Sequence, residues 1–351
     1  MQSRIFLLYL LAITSISAVS AQYTESINNN RPGGSQGAFA VGKKVLQFEA
    51  GFGLGKEKHR LLFTETDAIL LDYSVRYGLL KEELEISVMG TFQSNNVLDT
   101  RIANGEKQRF SNFRSNTVGA KYLFYDPYRK REMNGPNLYS WKANNKIQWA
   151  DLIPAISLYA GANFEFADNP FTPQAESSIN PKIVLSTQNN FIGGFVLVTN
   201  IIADRVTEDQ PTYGYIVTIT HTPTDWFSVF IENQGFKSDF YADQLLRGGA
   251  SVLITPDWQV DASVLLNFKD TPSRLFGRIG MAYRFDMHEK DEYIEEKGKA
   301  GREKRRAEKG KVKKLKKIKK DKKKKKKKKR RKDGFETDPL EDDGGDDGGL
   351  N

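Results

Sequence analysis

Side chains able to do ionic chemistry recur at alternate positions of apolar stretches in this chain. Glu49 lies between Phe48 and Ala50, Asp72 between Leu71 and Tyr73, Arg76 between Val75 and Tyr77, Glu85 between Leu84 and Ile86, and Lys121 between Ala120 and Tyr122. Glu165, Lys182, Glu232, Arg247, Asp261, Arg278 and Arg284 continue the pattern. Six carboxylates and six bases placed this way can do one of two things. Around an aqueous bore they would select solutes by field and hydrogen bonding. Paired with one another they would fill a narrow interior as an ion-pair network. The residues alone leave both readings open.

Catalytic chemistry finds little to use. The histidines are His59, in an expected outer loop, His221, at the opposite rim, and His288, in the C-terminal tail, so none shares an evident site with a serine or aspartate. Without cysteine or clustered histidines no transition-metal site is expected, and no cofactor is implied. The loop carboxylates Glu208 and Asp209 could meet calcium, although surface acids ordinarily meet only water. The chain is not expected to be an enzyme.

The elements that must position these charges are β-strands. Period-two alternation runs through Leu46–Leu54, Ile69–Tyr77, Leu84–Thr91 and Thr117–Phe124, and then through Ile156–Phe166, Ile179–Thr187, Phe191–Ile201 and Tyr213–His221. It ends with Phe227–Asn233, Leu245–Ile254, Val260–Phe268 and Leu275–Phe285, which makes twelve candidate strands. The seventh, with Phe195, Val196, Leu197 and Val198 in succession, is apolar on both faces. Most segments approach the nine to eleven residues or so that a tilted strand needs to cross hydrocarbon, longer than ordinary soluble strands.

Connections after odd strands read as long and polar: Gly55–Thr66, Ser94–Asn112, Ala167–Ser178, Ala203–Pro211 and Gln234–Asp243. Those after even strands read as tight, at Leu80-Lys81, Asn189-Asn190, Pro223-Thr224-Asp225 and Pro256-Asp257, with Asp126–Leu152 as the exception. The alternation predicts an all-β, up-and-down antiparallel transmembrane barrel, and a soluble sandwich has no reason to show it. Aromatic residues near strand ends, Tyr125, Tyr128, Phe171, Trp226, Trp258 and Phe285, would form interfacial girdles. The apolar wall implies outer-membrane lipid as a partner.

The two ends carry a different signal. Arg4 followed by the apolar run Ile5–Leu11 and by Val19-Ser20-Ala21 reads as a signal peptide over 1–21, cut before Gln22. An N-terminal periplasmic segment, 22–43, would precede a barrel of 44–285. Residues 1–285 hold 27 Lys+Arg and 27 Asp+Glu, 286–332 hold 26 and 9, and 333–351 hold none and 8. The net charge of +9 therefore belongs to a disordered or helical tail. Its block Lys322, Lys323, Lys324, Lys325, Lys326, Lys327, Lys328, Lys329, Arg330, Arg331 and Lys332 is extended by self-repulsion. In the periplasm of a Gram-negative cell it would adhere to peptidoglycan carboxylates or another anionic envelope polymer. Export argues against nucleic acid, and the acidic end could instead fold back and screen the lysines.

The stretch Arg247-Gly248-Gly249-Ala250-Ser251-Val252-Leu253-Ile254-Thr255-Pro256-Asp257-Trp258-Gln259-Val260-Asp261, followed by the strand Phe276–Phe285, resembles the outer-membrane family named for the meta-pathway of phenol degradation, also called transporter-like outer-membrane proteins. The resemblance spans about 40–285 and is strongest in its last third. It implies an antiparallel barrel that passes small molecules, apolar ones among them, with no catalytic set to carry over. The long Asp126–Leu152 connection and the lysine tail depart from the family and say nothing of the solute. The leading reading is a passive channel, and the alternative is a non-conducting barrel that anchors a basic periplasmic arm to the envelope.

Overall fold

The computed structural model describes residues 27–102, 107–128, 139, 149–166, 169–172 and 177–287. The signal-peptide expectation for 1–21, His288, the lysine block and the acidic end fall outside the described residues, as does a second unit, Lys290–Asn351.

Twelve strands form a closed barrel: β1 (Val45–His59), β2 (Thr64–Gly78), β3 (Leu84–Asp99), β4 (Gln108–Tyr125), β5 (Ala155–Phe164) and β6 (Ile179–Phe191), then β7 (Phe195–Asp204), β8 (Thr212–Thr224), β9 (Phe227–Lys237), β10 (Ala242–Thr255), β11 (Trp258–Asn267) and β12 (Ser273–Asp286). Each pairs antiparallel with its sequence neighbours, and β12 returns to β1 in register from Val45↔Asp286 to Lys58↔Ser273. The expected strand number and up-and-down order are therefore present. Closure leaves no strand edge unpaired within the wall, which hydrocarbon requires.

The alternation sorts the two faces. In β1, Phe48, Phe52 and Leu54 are exposed on the outer face, while Glu49, Gly51, Gly53 and Gly55 are buried inside. Ile201 and Ile279 face outward at 59% and 61% exposure. A one-residue slip would move Glu49 or Arg76 onto the apolar face, so the pattern fixes the register. In β7 the ambiguity is resolved by Val198 and Asn200, which are buried inside beside outward Phe195 and Ile201.

Strand limits differ from the sequence reading because the strands run past the apolar band. Gly55–His59, Thr64–Ala68, Ser94–Asp99, Gln108–Asn112 and Gln234–Lys237 are strand residues rather than loop. The connections of 60–63 and 238–241 are short as a result, although both sit at the end where long loops were expected. Asn189 and Asn190 also belong to a strand. That turn falls on Ile192-Gly193-Gly194, where both glycines take positive φ, 87° and 75°. A bulge between Thr91 and Phe92 of β3 leaves Arg114 of β4 without a partner in the ladder.

The barrel has a turn end, holding Val45 and Asp286, and a loop end. The described part of the 126–154 connection, including a short 3-10 helix at Trp149–Leu152, joins β4 to β5 at the turn end.

Candidate functional site

The interior is the site, and its principal occupant was not anticipated. Residues 27–43, expected to lie in the periplasm, run inside the barrel instead, ending at Lys44. Ile27 N donates to Pro256 O at the turn end, and the segment climbs to Pro32-Gly33-Gly34 before descending to Lys44, whose N donates to Gly78 O. Its sequence is poor in apolar residues and has several glycines, so its backbone can lie close against the wall. A Cβ at Gly78 would fall on Gly42 O, and one at Gly51 or Gly280 would fall on the Arg31 guanidinium.

Inward side chains of the wall satisfy this segment's backbone. Glu232, 1% exposed, accepts Gly34 N at 2.9 Å and Ser35 N at 3.2 Å. Asn200 accepts Gln36 N and donates to Gln36 O, at 2.7 and 2.8 Å. Gln188 accepts Ala38 N at 3.1 Å, and Glu85 accepts Val41 N at 3.0 Å. Lys121 Nζ donates to Phe39 O at 2.8 Å and to Gly37 O at 3.1 Å. Ala38 packs on Leu123 and Ala155, with Phe39 and Tyr128 closing the cluster near the turn end. Buried backbone groups must find partners, and here they find them on the barrel wall.

Charge is balanced by the same contacts. Arg76 Nε lies 2.8 Å from Glu85 and Nη1 3.2 Å from Glu49, with Lys121 Nζ 3.5 Å from Glu85. Arg31 Nη2 meets Asp261 at 3.1 Å and its Nη1 meets Asp72 at 3.6 Å, while Arg278 reaches the same Asp72 at 3.1 Å. Arg247 pairs with Glu232. Glu165 pairs with Arg205 at 3.1 Å, Lys182 with Asp204 at 3.6 Å and Arg284 with Asp257 at 2.8 Å.

Each of the twelve inward candidates thus has an oppositely charged partner. Seven of them, Glu49, Asp72, Arg76, Glu85, Lys121, Asp261 and Arg278, belong to clusters of three or more charges around the segment. Glu165, Lys182 and Arg284 pair elsewhere on the inner wall, with Arg205, Asp204 and Asp257. Among the residues that sequence reasoning missed is Arg31, for which the one available signal was a lone base among glycines next to a wall rich in acids.

The remaining sequence candidates are scattered. His59 at the loop end accepts Leu62 N through Nδ1, and His221 stacks on Phe195, ring centroids 4.1 Å apart, at the turn end. Among the described residues no group of three or more His, Cys, Asp and Glu could hold a metal. Glu208 accepts Ser177 N, 3.4 Å away.

Above the segment the bore holds two cavities. One cavity of about 200 Å³ touches Arg31, Gly33 and Gly34, and a second of about 180 Å³ lies nearer the loop end; Thr91, Ser115 and Arg278 border both. Part of the inner wall there is apolar: Leu70, Leu245, Leu265 and Phe276 are buried together.

A closed twelve-stranded barrel with an apolar exterior and a charged, partly filled interior is an outer-membrane β-barrel. The chain belongs to the family described as "Putative MetA-pathway of phenol degradation", whose model matches residues 29–285. Among curated proteins none matches the sequence. The chain is similar in structure to the COG4313 outer membrane channel from Pseudomonas putida F1, with 11% identity over 74% of this chain and 100% of that one and a TM-score of 0.47. It is also similar to the translocator domain of autotransporter NalP from Neisseria meningitidis, at 9% identity, 70% and 89% coverage and a TM-score of 0.41. For the CymD monoaromatic hydrocarbon channel the values are 10%, 71% and 90%, and 0.39.

Proposed function

We propose that this barrel is a passive conduit for small, largely apolar solutes, constricted in its turn-end half by residues 27–44. The observation that carries the reading is the contrast between the two halves: the loop-end half holds a cavity beside an apolar inner patch, while the turn-end half is filled by a segment fastened through polar contacts. Polar fastening is exchangeable with water, so the filler can leave without unfolding the wall. Planar bilayers test this: the chain lacking 27–44 should conduct more than the full chain, and equal currents would sink it.

A second reading is favoured by the same filled lumen, namely a non-conducting barrel that carries the basic tail as an envelope anchor. With the loop end outside the cell, residues after 287 would emerge into the periplasm, where Lys322–Lys332 could bind peptidoglycan carboxylates. A silent barrel in both forms, together with tail-dependent pull-down of peptidoglycan, would favour it.

A further inference from the structure

We propose that the loop-end cavity binds a small carboxylate with an apolar body of about one ring or a short chain. This rests on the reading of the barrel as a conduit and names the class of solute it holds. The cavity is bordered by Arg114, Arg247, Arg274 and Arg278, with Phe236 and Phe276 on its wall.

Each of three guanidiniums is held by an acid: Glu232 on Arg247, Asp72 on Arg278, and Glu57 and Asp243 on Arg274, at 3.3 and 3.5 Å. A guanidinium carries five N–H donors, so one acid does not exhaust it. Nε of Arg247 and of Arg278 has no hydrogen-bond partner among the described residues, although the Arg247 side chain is 93% buried, 7% remaining exposed. Arg114, placed here by the β3–β4 bulge, forms no ion pair among the described residues and donates only to Gln93 Oε1, 3.2 Å away.

Beside these donors lies an apolar surface on the inner wall. Phe276 is buried inside the bore with Phe236 packed on its cluster. An inorganic anion would use the guanidiniums and leave the rings unused, and a hydrocarbon would do the reverse. A carboxylate with an apolar body uses both, since the planar fork matches a carboxylate in two parallel hydrogen bonds. The volume of about 180 Å³ is below the roughly 300 Å³ at which drug-sized pockets begin, so the body is a single ring or its equivalent.

Calorimetry on the full folded chain in micelles, titrated with benzoate, its neutral isostere benzamide, and acetate, tests the proposal. Saturable benzoate binding is expected, with benzamide and acetate at least tenfold weaker. Arg114→Gln should weaken benzoate about tenfold and Arg114→Lys less, both with unchanged mobility of the unboiled barrel on a gel. Benzamide or acetate matching benzoate overturns the proposal, and so does an Arg114→Gln variant that binds as well as wild type. Benzoate binding in a barrel that never conducts would remove the conduit reading and keep the site. Conduction without binding would do the opposite.

Discussion

Glu232→Gln is the most informative single change, because it keeps the side chain's volume and alters one acceptor. In the native interior Glu232 takes the Gly34 and Ser35 N–H groups, Thr218 Oγ1 at 2.8 Å and a guanidinium nitrogen of Arg247. Arg247 and Thr218 belong to the wall and stay within its reach when the segment leaves, so their loss should weigh on both states alike. The two N–H donors contact it only in the seated state. A hydrogen bond to a charged group contributes about 1.5–3 kcal/mol; with the glutamine oxygen kept at Oε1 by Arg247 it still accepts Gly34 N, at 3.1 Å, and the Ser35 N bond is lost, so the seated state loses about 1.5–3 kcal/mol. At about 1.4 kcal/mol per tenfold, the seated-to-released ratio falls roughly 10- to 150-fold. Hydrogen–deuterium exchange of a peptide covering 27–44 reads that ratio directly, because protection follows the local opening equilibrium. Peptides from β1 to β12 should exchange as in wild type. If the 27–44 peptide keeps its wild-type protection in a correctly folded variant, the carboxylate does not hold the segment, and the account of its fastening is wrong.

Three further outcomes are expected. Gly280→Leu should unseat Arg31, because any Cβ there falls on its guanidinium, and should raise conductance in planar bilayers; Gly277→Ala on the same strand, where a Cβ meets nothing within 4 Å, should leave it unchanged. Arg76→Ala leaves buried Glu49 without a counter-charge and Glu85 with Lys121 alone, and should cost about 3–5 kcal/mol, seen as a lower urea midpoint on gels of unboiled protein. Removing 289–351 should leave that mobility and midpoint unchanged, since every ladder closes by Asp286.

The wall was legible because hydrocarbon on one side enforces a period of two, visible in any run such as Phe48, Ala50, Phe52 and Leu54. Its limits were not, because beyond the apolar band strand residues are polar on both faces, Lys56, Lys58 and Glu65 outward and Glu57 and Thr66 inward, and read as loop. Arg114 was hidden by a bulge, which shifts parity by one without a local signature. The filler was hidden for a stronger reason. Asn28 to Lys44 has no periodicity, and its bonds run to residues as distant in sequence as Glu232 and Asp261, so nothing local records them. The twelve inward charges could be named by alternation, whereas their partners Arg31, Asp204, Arg205 and Asp257 sit in loops, turns, strand ends or the filler, where alternation says nothing.

The order in which the chain can finish folding follows from where its first described residues rest. Their contacts are drawn from β3, β7, β9 and β11 as well as from β1, so no partly paired sheet offers them all. The cradle is complete once β12 has met β1, a contact between opposite ends of the sequence and thus entropically late. Residues near the start of the barrel's sequence must therefore wait, unsettled, until the last seam of the cylinder is sewn.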